Sequence, residues 1–135
     1  AGSLSASGDD MGRFMIAQLS SDSPLLKPAT RALMQRTAND PIPGLQKMSL
    51  GFYQSDVNGH RVVSHGGDTV AFHSDLHLFP DDNVGLYVSF NSPGKEGAVR
   101  PLRGALFDQF ADRYFPAPAD TRTLDAKAAR ANAEK

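Results

Sequence analysis

Tyr53-Gln54-Ser55-Asp56-Val57-Asn58-Gly59-His60-Arg61-Val62-Val63-Ser64-His65 is the stretch from which the fold is read. Asn58-Gly59 is the strongest short-range signal for a two-residue hairpin, because both positions need a left-handed backbone that Asn and Gly adopt most readily. The turn predicts one strand before it, Met48 to Ser55, and a return strand after it, Arg61 to His65. Gly66-Gly67-Asp68 interrupts the pattern. A third strand is expected over Ala71 to Phe79, a turn at Pro80-Asp81-Asp82-Asn83, and a fourth strand over Val84 to Phe90. Connections this short between successive strands imply an antiparallel meander.

Helical signals flank the strands on both sides. Ser7 followed by Asp10 fits a capping box, and Met11, Phe14, Met15 and Leu19 recur at helical spacing, so a helix is predicted over 8–19. Ser20 to Pro24 is a polar break. Leu25, Leu26, Ala29, Leu33 and Met34 suggest a second helix over about 25–37, ended by Asn39-Asp40-Pro41-Ile42-Pro43-Gly44. A third helix, over 97–115, carries Val99, Leu102, Leu106, Phe110 and Tyr114 on one stripe and stops at Pro116-Ala117-Pro118. The expected fold class is therefore α+β, an antiparallel sheet of about four strands covered by helices.

The chain has 135 residues, 40% of them apolar and 21% charged, with a formal net charge of −1. That length suits one compact core. A near-neutral chain without a basic block makes nucleic acid and anionic membrane surfaces poor partners. With no cysteine, disulfides, thiol catalysis and thiolate metal sites are excluded. No apolar run approaches the ~20 residues of a membrane span. The opening Ala1-Gly2-Ser3, directly before a helix signal and without a signal peptide or initiator methionine, suggests an excised fragment or an expression scar.

The segment with most chemical content is Ser64-His65-Gly66-Gly67-Asp68-Thr69. A histidine closes a strand, and glycines after it leave the backbone open to close approach by a substrate. An exposed strand edge can pair with an extended ligand, and a backbone N–H at the following turn can stabilise an oxyanion. The plain alternative is a Gly-Gly turn beside a surface histidine. A second constellation is His73, Asp75 and His77, which alternation places on one strand face, where the two histidines suggest a metal-binding domain. A polar strand face opposite Phe72, Leu76 and Leu78 accounts for the same pattern.

His65-Gly66-Gly67-Asp68-Thr69, with Phe72 and Pro80 after it, resembles the third motif of serine β-lactamases and penicillin-binding proteins, nearest to the class C and esterase branch. The Ala1–Ser7 run with Asp10, Met11 and Phe14 resembles the helix that follows the second catalytic motif of that family. Val84 to Asn91 is similar to its last strand. The likeness covers roughly residues 1–115, which would be the C-terminal part of a β-lactamase-like domain, with 116–135 a linker or short marginal helix.

By that resemblance His65 takes the place of the cation or hydrogen-bond donor of the third motif. The N–H of Asp68 corresponds to an oxyanion-hole donor, and Gly66, Gly67 and Thr69 line the substrate site. Asp68 stands where the family has a small residue, which would disfavour an anionic substrate, and Ala71-Phe72 replaces the usual Gly-Phe pair. The implied activity is hydrolysis of a β-lactam, a D-Ala-D-Ala peptide or an ester through an acyl-enzyme, with no cofactor and a periplasmic or secreted location.

The family's Ser-Xaa-Xaa-Lys nucleophile motif is the main departure. The one serine placed three before a lysine is in Ser92-Pro93-Gly94-Lys95, where Pro and Gly argue for a turn. None of Tyr53, Tyr87 and Tyr114 begins a Tyr-Xaa-Asn motif. The resemblance thus implies a partner, an N-terminal part of the same protein that carries the nucleophile. It also implies that this chain alone is inactive and self-associates through an uncovered last strand. A non-catalytic binding or regulatory domain that kept the fold is the alternative within the same family.

Overall fold

The computed structural model describes residues 4–36 and 47–118. In chain order the elements are α1 (Gly8–Leu19), α2 (Pro28–Gln35), β1 (Lys47–Met48), β2 (Tyr53–Val57), β3 (His60–Asp68), β4 (His73–Phe79), β5 (Val84–Phe90) and α3 (Val99–Tyr114). The strands form one antiparallel meander in the order β1-β2-β3-β4-β5. The α+β class and the antiparallel sheet of the sequence reading hold, with five strands rather than four.

The extra strand arises at Gly51. Its φ of +79° turns the chain back within the segment read as one strand, so Met48 pairs with Tyr53. The hairpin at Asn58-Gly59 forms as expected, with φ of +54° and +86°. α1 spans the predicted residues, and its capping box closes through Ser7 and Asp10. α2 starts three residues later than expected, with Pro28 in its first turn. A proline ring there costs no hydrogen bond, whereas a helix from Leu25 would put it inside, where its ring and missing N–H disrupt the ladder. The expected break at 39–44 lies outside the described residues, as do Ala1–Ser3 and the 119–135 tail.

Strand alternation sends neighbouring residues to opposite faces. On one face Phe52, Val63, Leu76 and Leu78 pack with Met11, Phe14, Met15 and Leu19 of α1 and Met34 of α2. On the other, Val62 and Phe79 pack with Phe107, Phe110, Ala111 and Phe115 from α3 and its end. Val62, Val63, Leu78 and Phe79 are fully buried, each contributing about 1.5–3 kcal/mol by removal from water. The two helical layers therefore clamp the sheet from both sides.

The buried stripe of α3 differs from the expected one. Val99, Arg103 and Ala111 are buried, with Phe107 and Phe110 packed beside them, while Leu102, Leu106 and Tyr114 are exposed. The helix is rotated so that Arg103 reaches the backbone of the sheet, a set of contacts that apolar spacing does not encode. β5 pairs only with β4 among the described residues, so its other edge is open.

Candidate functional site at the end of β3

Gly66-Gly67-Asp68 does not interrupt the sheet. β3 runs straight through it, with Gly66 opposite Asp75, Gly67 opposite Ser74 and Asp68 opposite His73. The reason for two glycines is space. A Cβ on Gly66 would stand 2.8 Å from Asp75 Oδ1, and one on Gly67 3.0 Å from Ser74 Oγ. Neither residue has a positive φ, so the Gly-Gly turn of the plain alternative is absent here. The turn lies further on, at Thr69 to Phe72, where the Thr69 N–H donates to the Phe72 carbonyl (2.8 Å) and the Phe72 N–H to Thr69 Oγ1 (2.9 Å).

β2 pairs with β3 only as far as Tyr53 opposite Ser64. Beyond that point, among the described residues, His65, Gly66, Gly67 and Asp68 are paired to β4 alone. All four are exposed. The sequence-derived site residues thus form a continuous strip of extended backbone with one free edge, the geometry that accepts an extended ligand by strand addition. His65 stands at its start, exposed, with its ring stacked 5.7 Å from that of Tyr53. Thr69 follows at the other end, its hydroxyl engaged with Ala71, Phe72 and the turn.

The side chain of Asp68 leaves this strip. Its face is that of Gly66 and His73, toward α3. Its carboxylate accepts from His73 Nδ1 at 2.5 Å and from Arg103 Nη2 at 3.2 Å. The hydrogen bond from His73, with Arg103 beside it, holds the Asp68 carboxyl below its ordinary value. Its charge is paired with a buried guanidinium on the α3 side. Arg103 also donates to the carbonyls of Ser74 (2.7 Å) and Gly67 (3.4 Å), and its Nε lies 3.6 Å from Asp75 Oδ2. Burial raises the Asp75 carboxyl, with Arg103 opposing that rise.

His73, Asp75 and His77 share one face as alternation predicts, but each is committed elsewhere. His73 bonds Asp68. His77 stacks on Phe107 at 3.8 Å between ring centres, and neither of its ring nitrogens has a hydrogen-bond partner among the described residues. Burial, reinforced by Arg103, lowers its pKa from 6.5 to about 4. Among the described residues no three His, Asp or Glu side chains gather around a point where a metal ion would sit. The metal-binding alternative therefore has no geometric support there. Ser92-Pro93-Gly94-Lys95 is a turn, with the Gly94 N–H bonded to Ser92 Oγ and Gly94 at φ +69°.

Arg103 is the residue the sequence reading missed. It lies off the stripe of Val99, Leu102, Leu106, Phe110 and Tyr114 expected for the third helix. Val99, Arg103, Phe107 and Ala111 nevertheless follow one another at four-residue steps, and an arginine inside such a stripe is a signal of a buried polar contact. A cavity of about 480 Å³ lies elsewhere, between α1, α2 and the sheet, lined by Gln18, Arg31, Gln35, Arg61 and Pro80. It adjoins Pro80 at the end of β4 remote from Ser74, and so is separate from the glycine pair.

An antiparallel sheet clamped between helices, with a His-Gly-Gly strand edge left open, defines an α+β domain. The Beta-lactamase family model matches residues 1–109, and the chain belongs to that family of hydrolases. Comparison with curated proteins and with solved structures finds no match.

Proposed function

We propose that this chain forms one wall of the active site of a serine hydrolase that works through an acyl-enzyme. Its substrate would be a β-lactam, a D-Ala-D-Ala peptide or an ester. The observation that carries this reading is the free edge of His65–Asp68, a strip of exposed backbone headed by a histidine, in a chain of the Beta-lactamase family. Extended backbone aligns an amide-like substrate by main-chain hydrogen bonds, and His65 supplies a donor for its carboxylate or carbonyl. Gly66, Gly67 and Thr69 line the strip, and the Asp68 N–H is offered to the oxyanion that forms when the acyl carbon becomes tetrahedral. The serine and its activating lysine come from an N-terminal part of the same protein, which also covers the open edge of β5. A periplasmic or secreted location belongs to this reading.

The test compares nitrocefin and p-nitrophenyl ester hydrolysis by this chain alone and by a parent polypeptide carrying a Ser-Xaa-Xaa-Lys segment. The chain alone is expected to be inactive. In the parent, His65→Ala should lower kcat/KM by on the order of 10²-fold and leave the melting temperature unchanged, since His65 is exposed. Turnover by the chain alone that survives Ser92→Ala would overturn the assignment of the nucleophile to another segment. A His65→Ala parent with unaltered kcat/KM would remove His65 from the site.

A further inference from the structure

We propose that Arg103 is a positioning residue: from α3, on the opposite side of the sheet, it fixes the backbone of the open β3 edge. The inference rests on the acyl-hydrolase reading above and extends it to a residue outside the motif.

The free edge poses a mechanical problem. Beyond Ser64, β3 has one strand neighbour among the described residues instead of two, and two of its next three residues are glycines, the residue type with the greatest backbone freedom. Such a segment frays unless something else holds it. Arg103 provides three hydrogen bonds and one longer ion contact. One guanidinium nitrogen bridges the two strands, donating to the Ser74 carbonyl on β4 (2.7 Å) and the Gly67 carbonyl on β3 (3.4 Å). The second donates to the Asp68 carboxylate (3.2 Å), whose other oxygen is held by His73 at 2.5 Å. The Nε faces Asp75, opposite Gly66 (3.6 Å). Arg103 and His73 are 8% and 7% exposed, so water competes little for these bonds. A planar fork with fixed donors suits this task, and a lysine ammonium does not reproduce it. The effect is to set where the Gly67 and Asp68 peptide planes point, and positional errors of about 1 Å at a catalytic group cost rate rather than binding.

The experiment uses Arg103→Met, Arg103→Lys and Asp68→Asn with two readouts. The first is amide hydrogen exchange in this chain. Arg103→Met should speed exchange at Gly67 and at Ser74 opposite it, the pair whose amides face each other across β3 and β4, by on the order of tenfold or more, leaving Val62 and Val63 as in the wild type. The second is steady-state hydrolysis by the parent polypeptide, where kcat should fall by about tenfold or more with KM within about twofold. Arg103→Lys should fall between, keeping the charge but not the fork. If Arg103→Met does not fold, Asp68→Asn, which preserves shape and weakens one anchor, should give the same local pattern in smaller measure. Unchanged exchange at Gly67 and Ser74, or acceleration spread evenly over the sheet, overturns the proposal. An inactive wild-type parent would instead sink the hydrolase reading, and the exchange arm would still decide the role of Arg103.

Discussion

His77 should make this fold lose stability in mild acid. Its ring lies flat against Phe107, its nitrogens have no partner among the described residues, and Arg103 stands nearby. Protonation is therefore unfavourable in the folded chain and unhindered in the unfolded one. The folded pKa, about 4, lies below the ordinary 6.5, so the unfolded state binds the proton first as pH falls. Stability from this group is complete above 6.5, declines between 6.5 and about 4, and is level below. At about 1.4 kcal/mol per pH unit the whole loss is about 3 kcal/mol, of which about 2 kcal/mol is reached by pH 5. His77→Phe keeps the stack on Phe107 and removes the titrating group, so its unfolding free energy should be the less sensitive to pH by that amount. Urea unfolding followed by far-UV circular dichroism at about pH 7.5 and pH 5 measures both proteins, and the difference between them cancels other titrating groups. Equal pH dependence in wild type and variant would refute the argument.

Two further outcomes follow from the packing. Leu78 is fully buried between β3, β5 and α1, so Leu78→Ala should cost about 3 kcal/mol in the same urea assay. β5 contains neither a charge nor a proline, the usual protections of an open edge, and Leu102 and Leu106 are exposed on α3; light scattering of this chain should show concentration-dependent association, reduced by Ser89→Lys, which puts a charge on an exposed edge position.

Local signals decided much of this molecule, because their physics is local. Asn58-Gly59 demanded a tight hairpin, and Ser7 with Asp10 demanded a helix start, whatever surrounded them. The alternation of β4 placed His73, Asp75 and His77 together correctly for the same reason. His65-Gly66-Gly67-Asp68-Thr69 carried a resemblance to a family motif that needs no tertiary contact to be read. What each of those residues touches was decided only in three dimensions. Gly66 and Gly67 read as a break, yet they continue a strand, because Asp75 and Ser74 crowd them from the neighbouring strand. The partners of Asp68 are His73, five residues on, and Arg103, thirty-five residues on in another layer. Arg103 itself looked like one more polar residue on a helix surface. A stripe of apolar residues fixes a helix's rotation only when apolar burial is the strongest contact available. Here the rotation that packs Val99, Phe107 and Ala111 also brings a guanidinium to two strand carbonyls and a carboxylate, and no spacing rule along the chain registers partners that only the packed sheet brings together.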